Sequence, residues 1–300
     1  MIQNASPGKD VSQEDILSKI PKVSKKHPNH YSSFEVSGVS FGPGFCPLFA
    51  GPNLVESPQL INNIAEFLSA SGVSFLRGGA FKPLTFPYRS PQYTETGVEG
   101  LSWLLEAKER YNIPVITEIM EISYLSEVSK VADILQIGTR NMQNYPLLVA
   151  AAQTGIPIML KRGYGASLRD WLGAAEYILN EGNDKVILCE RGIVAPHTHR
   201  STSRFLLDLQ VVPAAKELTH LPVVTDPSHA SFWAPWVEPL SLASLGAGCD
   251  GIMLEVHPCR AEAAVDPLQP LEFPEFTSLI NRMKPVASAL GYSSIGSHIL

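Results

Sequence analysis

The sequence predicts an α/β protein, a (β/α)8 TIM barrel preceded by an N-terminal arm and a small β-hairpin. The main observation is an alternation that begins at Cys46, in which apolar runs of strand length are followed by helical stretches of about ten to fifteen residues. The alternation occurs eight times and no Ser/Gly-rich linker interrupts it, so one barrel accounts for its length. A doubly wound open sheet is the structural alternative.

Eight apolar runs, each bounded by turn-forming residues, are predicted to be the parallel strands. They are Pro47–Ala50, Val73–Arg77, Val115–Glu118, Ile134–Ile137, Ile158–Lys161, Val186–Glu190, Val223–Thr225 and Gly251–Glu255. The helices predicted to follow them are Gln59–Ala70, Gly97–Tyr111, Ser123–Lys130, Pro146–Ala152, Leu168–Glu181, Leu206–Leu218, Pro239–Ala247 and Glu272–Leu290. A helix therefore follows each strand, as a parallel barrel requires.

The start of the chain differs from the rest because it is polar and of mixed composition. We expect residues 1–35 to form a partly flexible or loosely packed N-terminal arm with one short helix near Gln13–Ile20. Residues 36–300 are expected to form a single barrel domain. The stretch Phe34–Phe45 alternates apolar and polar residues and contains Gly42-Pro43-Gly44, which predicts a hairpin ahead of the barrel.

Composition excludes several classes of partner. The 300 residues include 23 basic and 29 acidic ones, a net charge of −6, without a basic tract, so neither nucleic acid nor an anionic membrane is an expected partner. No apolar run reaches membrane-spanning length, and no signal-peptide pattern is present. The four cysteines form no CxxC pair, which is typical of reduced thiols and predicts a cytoplasmic protein.

The glycine-rich stretch Leu76–Pro83 is the first indication of a binding site. It places Arg77 and Lys82 on a turn that follows an apolar run. Glycines let a backbone approach a ligand closely, and two cations at the end of a strand can hold a phosphate or a carboxylate. Taken alone, the stretch is equally compatible with a tight turn that carries two solvated cations.

The residues that follow the other strands favour the functional interpretation, because the active site of a parallel barrel lies at the carboxyl ends of its strands. The cations there predict a substrate with at least one phosphate and one carboxylate. His229, Glu255 and Asp266 could ligate a divalent metal. The chemistry-bearing residues after the strands are Asn53, Glu56, Arg77, Lys82, Glu118, Gln136, Arg140, Lys161, Arg162, Glu190, Arg191, Arg204, Asp226, His229, Glu255, His257 and Asp266.

Seven short motifs overlap or directly follow the ends of the predicted strands: Ala50-Gly51-Pro52, Leu76–Pro83, Gln136–Asn144, Leu160–Gly163, Ile187–Gly192, Asp226–His229 and Glu255–Pro258. Together they resemble the 3-deoxy-7-phosphoheptulonate synthases (DAHP synthases) of the short microbial type, which are related to the 3-deoxy-octulosonate 8-phosphate synthases. The similarity extends from residue 46 to about residue 290.

The resemblance implies a condensation of phosphoenolpyruvate with an aldose phosphate. Carbon 3 of phosphoenolpyruvate attacks the aldehyde, water adds at carbon 2, and phosphate leaves with C–O cleavage. The residues that the resemblance assigns to catalysis are Lys82, His229, Asn53 and Asp266. Those that it assigns to substrate binding are Arg77 on the carboxylate side, Arg140, Lys161 and Arg204 on the phosphate, and Thr85, Glu118 and Asp226.

The metal site of the family is altered in this chain. The family usually has Cys where this chain has Asn53, and that thiolate is one of four metal ligands, the others matching His229, Glu255 and Asp266. A neutral amide is a poorer ligand for Zn²⁺ or Fe²⁺, and an Asn at this place marks metal-independent enzymes in the octulosonate branch. We therefore expect no cofactor or a weakly bound divalent metal (Mn²⁺, Mg²⁺ or Zn²⁺); Cys259 is a less favoured substitute ligand.

The acceptor side also departs from the family. The usual Lys-Pro-Arg-Thr is Lys82-Pro83-Leu84-Thr85 here, and losing one charged contact to the acceptor phosphate costs about tenfold to a hundredfold in affinity. Aromatic residues occupy Ala230–Trp236, where a Gly-Arg-Arg stretch is common, and Tyr164 follows Gly163 where Met or Leu is common. The loop Ile193–Ser203 is a few residues longer than usual. An acceptor without a terminal phosphate, or with an apolar end, would fit these changes.

Two other functions remain open from the sequence. A non-catalytic relative that binds a phosphorylated metabolite is favoured by the loss of the Cys and the Arg and opposed by intact Lys82, Lys161, His229 and Glu255. The other is a barrel aldolase that forms a Schiff base at Lys161. The resemblance further implies a homodimer or a homotetramer.

Overall fold

A computed structural model describes residues 17–82, 95–196, 199, 201 and 205–300. Three short strands precede the barrel: β1 (Phe34–Val36), β2 (Val39–Phe41) and β3 (Phe45–Cys46). Eight parallel strands then form a closed barrel, which confirms the predicted fold class. They are β4 (Leu48–Gly51), β5 (Phe75–Arg77), β6 (Val115–Ile119), β7 (Ile134–Ile137), β8 (Ile158–Lys161), β9 (Val186–Glu190), β10 (Val223–Thr225) and β11 (Ile252–Glu255).

The helices of the described residues cover the outside of the barrel and its upper rim. Two predicted boundaries were wrong. The helix expected from Leu206 begins at Val211, because Leu206 pairs with Ile193 in an antiparallel bridge. The helix expected from Pro239 begins at Ala234. Pro235 lies in its first turn, where a proline is compatible with a helix start, and Pro239 lies inside the helix. The α-helices are α1 (Pro58–Ala70), α2 (Gly97–Tyr111), α3 (Leu125–Ser129), α4 (Tyr145–Ala152), α5 (Leu168–Asn180), α6 (Val211–Leu218), α7 (Pro227–Ser231), α8 (Ala234–Gly246) and α9 (Phe273–Ala289).

The strands are buried on both faces, and successive side chains point alternately into the barrel and toward the helices. One apolar cluster fills the barrel interior, and it includes Phe49, Phe75, Ile116, Ile134, Met159, Ile187, Cys189, Val224 and Met253. A second cluster packs between strands and helices, and its strand residues include Leu48, Ala50, Leu76, Leu135, Leu160, Leu188 and Leu254. Because side chains alternate along a strand, membership of these clusters shows whether a later residue of the same strand faces the barrel interior or the helices.

The predicted hairpin is present as β1 and β2, which pair in an antiparallel register. Its turn is Ser37-Gly38, both with positive φ (49° and 83°), rather than Gly42-Pro43-Gly44. The ring of Phe41 lies 6.2 Å from that of Phe49 and 5.9 Å from that of Phe75. Because both partners belong to the interior cluster, the hairpin closes the N-terminal end of the barrel.

The described part of the arm is packed, which differs from the expectation of a loose segment. Val23 is fully buried, and the Glu176 carboxylate accepts the backbone N–H groups of Lys22 and Val23. The expected boundary after residue 35 falls inside β1, and most of the helix expected near Gln13–Ile20 lies outside the described residues. At the other end of the chain, β12 (Ser294–Ile295) pairs with β3 and with β13 (His298–Ile299). Among the described residues, no helix has the length and apolar character needed to cross a bilayer.

Candidate active site

A layer of polar side chains lies above the interior apolar cluster, at the carboxyl ends of the strands. Strand alternation explains it, because a residue two positions after an inward-facing residue also faces inward. The barrel is therefore apolar below and ionic above, and a substrate at this rim would contact the ionic layer. The members of the layer are Arg77, Glu118, Gln136, Lys161, Arg191, Asp226 and Glu255, each two residues after a member of the interior cluster.

Close approach of the first two strands requires a glycine. Gly51 has φ 146°, and a Cβ at this position would collide with the carbonyl oxygen of Arg77. The guanidinium of Arg77 lies beside this glycine: its Nη1 is 3.5 Å from the carbonyl oxygen of Gly51 and 3.4 Å from Oε2 of Glu255. The Ala50-Gly51-Pro52 motif thus brings β4 close enough to β5 for Arg77 to reach across to β11.

Glu255 is a buried carboxylate with two donors on one oxygen. Its Oε2 accepts a hydrogen bond from Gln269 Nε2 at 2.6 Å in addition to the Arg77 contact. Burial raises the pKa of Glu255 to about 7, although Arg77 counteracts this rise. The carboxylate can therefore exchange a proton near neutral pH, which is the property expected of an acid–base group.

Asp226 joins two other members of the site. Its Oδ2 lies 2.6 Å from Nζ of Lys161 and 2.9 Å from Nδ1 of His229. Asp226 also caps the short helix α7, because its side chain accepts the backbone N–H of His229. Burial by itself would raise the pKa of Asp226, but contacts with His229 and Lys161 hold it well below its ordinary value.

His229 is oriented by this contact. Burial lowers the pKa of His229 well below its ordinary value, so we assign a neutral ring that donates Nδ1–H to Asp226. Its Nε2 then keeps a lone pair and lies 3.7 Å from Oε2 of Glu255. The Asp-Pro-Ser-His motif thus presents a neutral imidazole nitrogen to the interior of the rim.

Lys82 reaches the same rim from the glycine-rich turn. It shares a narrow gap with Asn53, Arg77, Glu118 and Gln136. Burial lowers the pKa of Lys82, and the nearby Glu118 acts in the opposite direction. Glu118 also accepts a hydrogen bond from Gln136 Nε2 at 3.2 Å. A proton donor and a carboxylate therefore lie side by side on the β5–β7 side of the barrel.

The position of Glu118 also explains a glycine in the Gln136–Asn144 motif. A Cβ at Gly138 would collide with the Glu118 carboxylate. Any other residue at position 138 would displace that carboxylate from the rim. The glycine therefore leaves the space that the Glu118 side chain occupies.

Asn53 and Asp266 contact each other directly, although they are distant in the chain. Asn53 is 4% exposed and its Nδ2 donates to Oδ2 of Asp266 at 3.0 Å. Its Oδ1 is buried and has no hydrogen-bond partner in the described part of the protein. Asp266 has a positive φ of 51°, so the loop bends sharply where it supplies this carboxylate. The contact holds the Asn53 side chain at the gap that Lys82 and Glu118 also line.

These residues do not fit a tightly held divalent ion. Within the described ranges, no three His, Cys, Asp or Glu side chains gather as a ligand set. The residue at the thiolate position is an amide that donates to Asp266, and the Glu255 oxygen that faces His229 already accepts from Gln269 and Arg77. An ion there would have to break these hydrogen bonds and accept a neutral oxygen in place of a thiolate.

A buried arginine extends the cationic side of the site. Arg191 is 6% exposed, and its guanidinium lies 4.2 Å from the ring centroid of Phe205 and 5.0 Å from that of Tyr164. The two rings are stacked at 4.7 Å with an interplanar angle of 6°. Burial lowers the pKa of Arg191, but a guanidinium stays charged at neutral pH. The exposed Arg140 lies beside the same Tyr164 ring, at 5.9 Å.

The structure brings together most of the sequence-predicted site residues. Arg77, Lys82, Glu118, Lys161, Asp226, His229, Glu255, Asn53 and Asp266 share the rim, and Arg140 lies at its edge. Arg204, Thr85 and Leu84 lie outside the described residues. Arg191 and Gln269 were not assigned roles from the sequence. Strand alternation from Cys189 signals Arg191, whereas Gln269 lies in an irregular loop whose sequence carries no comparable signal.

The chain matches the family model described as the DAHP synthetase I family over residues 25–290. The protein belongs to this family. It is 40% identical over 276 residues to the phospho-2-dehydro-3-deoxyheptonate aldolase of Thermotoga maritima, which covers 92% of this chain and 80% of that protein. It is 31% identical over 258 residues to the 2-dehydro-3-deoxyphosphooctonate aldolase of Fusobacterium nucleatum, covering 79% and 89%.

Solved structures of the family agree with the fold. The crystal structure of the Thermotoga maritima phospho-2-dehydro-3-deoxyheptonate aldolase (DAHP synthase) superposes with a TM-score of 0.84 at 40% identity, over 90% of this chain and 77% of that one. A truncated form of 3-deoxy-D-arabino-heptulosonate 7-phosphate synthase from the same organism superposes with a TM-score of 0.82 at 39% identity, over 91% and 98%. The resemblance noted from the motifs is therefore confirmed for the family and for the barrel.

Proposed function

We propose that the protein catalyses an aldol-type condensation of phosphoenolpyruvate with an aldehyde, which yields a 3-deoxy-2-keto acid and phosphate. One observation carries the proposal: an ionic layer with Arg77, Lys161 and Arg191 lies directly above the apolar interior, in a barrel of the DAHP synthetase I family. Three buried cations at one rim match a small trianion better than any neutral ligand.

Binding would exchange internal ion pairs for substrate contacts. Arg77 and Lys161 are paired with Glu255 and Asp226, and these cations would turn to the carboxylate and the phosphate respectively. Arg191, supported by two aromatic rings, and Arg140 would complete the phosphate contacts, together with Arg204. Because the cations are already buried at the rim, the substrate replaces carboxylate partners rather than a full shell of water.

The proton transfers can be assigned to groups of this chain. When carbon 3 of phosphoenolpyruvate attacks the aldehyde carbon, the carbonyl oxygen gains a proton, and Lys82, which lines the gap on the β5–β7 side of the barrel, would donate it. Water then adds at carbon 2, and Nε2 of His229, with Glu255 beside it, accepts the water proton. The hydroxyl at carbon 2 then loses its proton to solvent and becomes the keto group, while the C–O bond to phosphate breaks and phosphate leaves with the bridging oxygen and the electron pair of that bond. The free Oδ1 of Asn53, held by Asp266, would orient the water or the aldehyde.

We further propose that the reaction proceeds without a tightly bound metal. The donor set described above supports this, because its polar atoms already hydrogen-bond to one another. Full activity in the presence of a chelator is the expected result. Activity that disappears with a chelator and returns with Mn²⁺, Mg²⁺ or Zn²⁺ would contradict this part of the proposal.

The acceptor is proposed to be an aldehyde whose binding does not depend on a terminal phosphate. Leu84 stands where the family has an arginine for that phosphate. Phe232 and Trp233 directly follow the helix that carries His229, and Phe232 adopts φ 54°, an unfavourable conformation for a bulky residue. An aromatic side chain retained at such a position supports a role in shaping the acceptor pocket.

The alternative of a Schiff base at Lys161 is disfavoured. A Schiff-base lysine needs a free amine to attack a carbonyl, whereas Nζ of Lys161 lies 2.6 Å from the buried Asp226 carboxylate, whose pKa is held well below its ordinary value. A cytoplasmic location and a homodimeric or homotetrameric assembly remain proposals, supported by the free cysteines and by the family resemblance respectively.

The proposal is tested by measuring phosphate release from phosphoenolpyruvate with a panel of aldehydes, with and without chelator. Release that depends on an added aldehyde is expected, with erythrose 4-phosphate used less efficiently than an acceptor that lacks the phosphate. Binding of phosphoenolpyruvate without turnover by any aldehyde would favour a non-catalytic relative. Tight and efficient use of erythrose 4-phosphate would overturn the proposal about the acceptor alone.

A further inference from the structure

A cluster of three charged residues lies behind the candidate site. Nη1 of Arg162 is 3.0 Å from Oε2 of Glu190 and 2.8 Å from Oδ2 of Asp208. The side chains of Arg162 and Glu190 are 7% and 0% exposed, and that of Asp208 is 22% exposed. Buried ion pairs gain little net stability, since desolvation offsets their attraction. A role in positioning other groups would account for such a cluster.

Strand alternation separates the cluster from the substrate. Arg162 follows the inward-facing Lys161, so its side chain points outward, and its guanidinium lies 5.9 Å from the ring centroid of Trp171 on α5. Glu190 likewise follows the inward-facing Cys189. The cluster therefore lies between the barrel wall and the helix layer, where phosphoenolpyruvate does not reach.

Glu190 closes the base of the loop between β9 and α6. Its Oε1 accepts the backbone N–H of Gly192 at 2.8 Å and that of Asp208 at 3.3 Å. These two residues lie at opposite ends of the loop, and the Ile193–Leu206 bridge follows immediately. One carboxylate therefore joins both ends of the loop to each other and to the barrel wall.

Arg162 connects this loop to its neighbour after β8. Its Nε donates to the carbonyl of Ala166 at 2.9 Å, and the carbonyl of Tyr164 accepts the N–H of Val194 at 2.8 Å. Tyr164 belongs to the loop after β8 and Phe205 to the loop between β9 and α6. Their rings can stack only while these two loops stay together. The guanidinium of Arg191 lies against both rings.

We propose that Arg162, Glu190 and Asp208 are positioning residues that hold Arg191 in place for the phosphate of phosphoenolpyruvate. This inference rests on the proposed function, in which Arg191 binds that phosphate. The cluster fixes the two loops, the loops place the stacked rings, and the rings orient the guanidinium. Loss of the cluster therefore weakens phosphoenolpyruvate binding and leaves proton transfer at Lys82 and His229 intact.

The test measures the dissociation constant of radiolabelled phosphoenolpyruvate by equilibrium dialysis, together with the KM for each substrate and kcat. Arg162→Met is expected to weaken phosphoenolpyruvate binding by about tenfold to a hundredfold, with kcat and the acceptor KM nearly unchanged. Asp208→Asn retains the Arg162–Glu190 pair and is expected to show a smaller change in the same direction. Arg282→Met, which removes an exposed ion pair with Glu238, is the matched control and is expected to have no effect.

A double-mutant cycle shows whether the cluster acts through Arg191. In an Arg191→Met background, Arg162→Met is expected to cause little further loss of phosphoenolpyruvate affinity, because the group that it positions is gone. Equal losses in both backgrounds, or unchanged affinity in the Arg162→Met and Asp208→Asn proteins, would overturn the inference alone. Failure of the unaltered protein to bind phosphoenolpyruvate would overturn both the inference and the proposed function.

Discussion

Two buried ion pairs lie back to back on the barrel wall, and they differ in what they can contact. Lys161 and Asp226 pair inside the barrel at 2.6 Å, whereas Arg162 and Glu190 pair outside it at 3.0 Å. The two cations are adjacent in sequence, and both pairs are almost fully buried. The inner pair lies in the ionic layer at the rim, where a ligand can enter, and the outer pair is covered by α5.

Under the proposed function, position relative to the wall, rather than charge or burial, assigns the role. An inner cation can exchange its carboxylate for a substrate phosphate, so it contributes to affinity and catalysis. An outer cation keeps its partners throughout and contributes to geometry. The period of two in a β-strand is sufficient to separate these roles between consecutive residues.

The largest expected effect is on the inner pair. Lys161→Met should reduce kcat/KM for phosphoenolpyruvate by about 100-fold to 1000-fold, because a preorganised cation is lost from the reacting phosphate. Steady-state phosphate release measures this loss, and circular dichroism controls for folding. A loss no larger than that of Arg162→Met would contradict the division between the two faces.

Removal of one member of the outer pair should lower the stability of the protein more than it lowers the rate of the reaction. Arg162→Met leaves Glu190 buried without its partner, and the free energy of unfolding should fall by about 3 kcal/mol. Arg162→Met combined with Glu190→Gln should recover most of this loss, because the fully buried charge is removed and the remaining carboxylate, Asp208, is 22% exposed and partly solvated. Urea denaturation of the unaltered protein, the single variant and the combined variant measures the free energies of unfolding. A combined variant as unstable as the single one would contradict the explanation.

A pH effect is expected at the edge of the inner face. Because burial lowers the pKa of Lys82 from its usual 10.5, the protonated donor is lost at a lower pH than for an exposed lysine. Activity should therefore fall on the alkaline side through a limb that Lys82→Arg removes, since an arginine does not titrate there. The arginine protein should be about tenfold slower near neutral pH, because the donor geometry changes. An unchanged alkaline limb in Lys82→Arg would rule out Lys82 as its source.

The smallest effect belongs to a pair that faces neither the site nor the core. Arg282 on α9 contacts Glu238 on α8, and the two side chains are 60% and 28% exposed. Arg282→Gln should change the free energy of unfolding by less than about 0.5 kcal/mol and leave kinetics unchanged. Thermal denaturation and phosphate release check these two expectations. A larger change in the free energy of unfolding would mean that solvent exposure does not explain why this ion pair contributes less than the buried ones.

The sequence predicts the barrel and most of the site because both follow from local patterns. Eight apolar runs locate the strands, and the residue at each strand end locates the rim, which places Arg77, Lys161, Asp226 and Glu255 correctly. The start predicted for the helix at Leu206 was wrong because a contact with Ile193 across the loop outweighs local helical preference, and the helix begins at Val211.

Contacts between distant residues could not be predicted in the same way. Asn53 and Asp266 are 213 positions apart, and no periodic pattern relates an amide in one loop to a carboxylate in another. The same holds for Gln269, which reaches Glu255 from an irregular segment, and for Asp208, which meets Arg162 only after the loop folds back. The proposal of a reaction without a tightly bound metal and the proposed positioning of Arg191 both depend on these contacts, so neither could be argued from the sequence alone.

The central claim is that the inner ionic layer carries out carbon–carbon bond formation with C–O cleavage of phosphoenolpyruvate. It is tested most directly with phosphoenolpyruvate that carries ¹⁸O in the bridging oxygen, incubated with the protein, an accepted aldehyde and a chelator. The account predicts that the released phosphate retains the label and that release requires the aldehyde. Label retained in the keto acid, or phosphate released without an aldehyde, would contradict it.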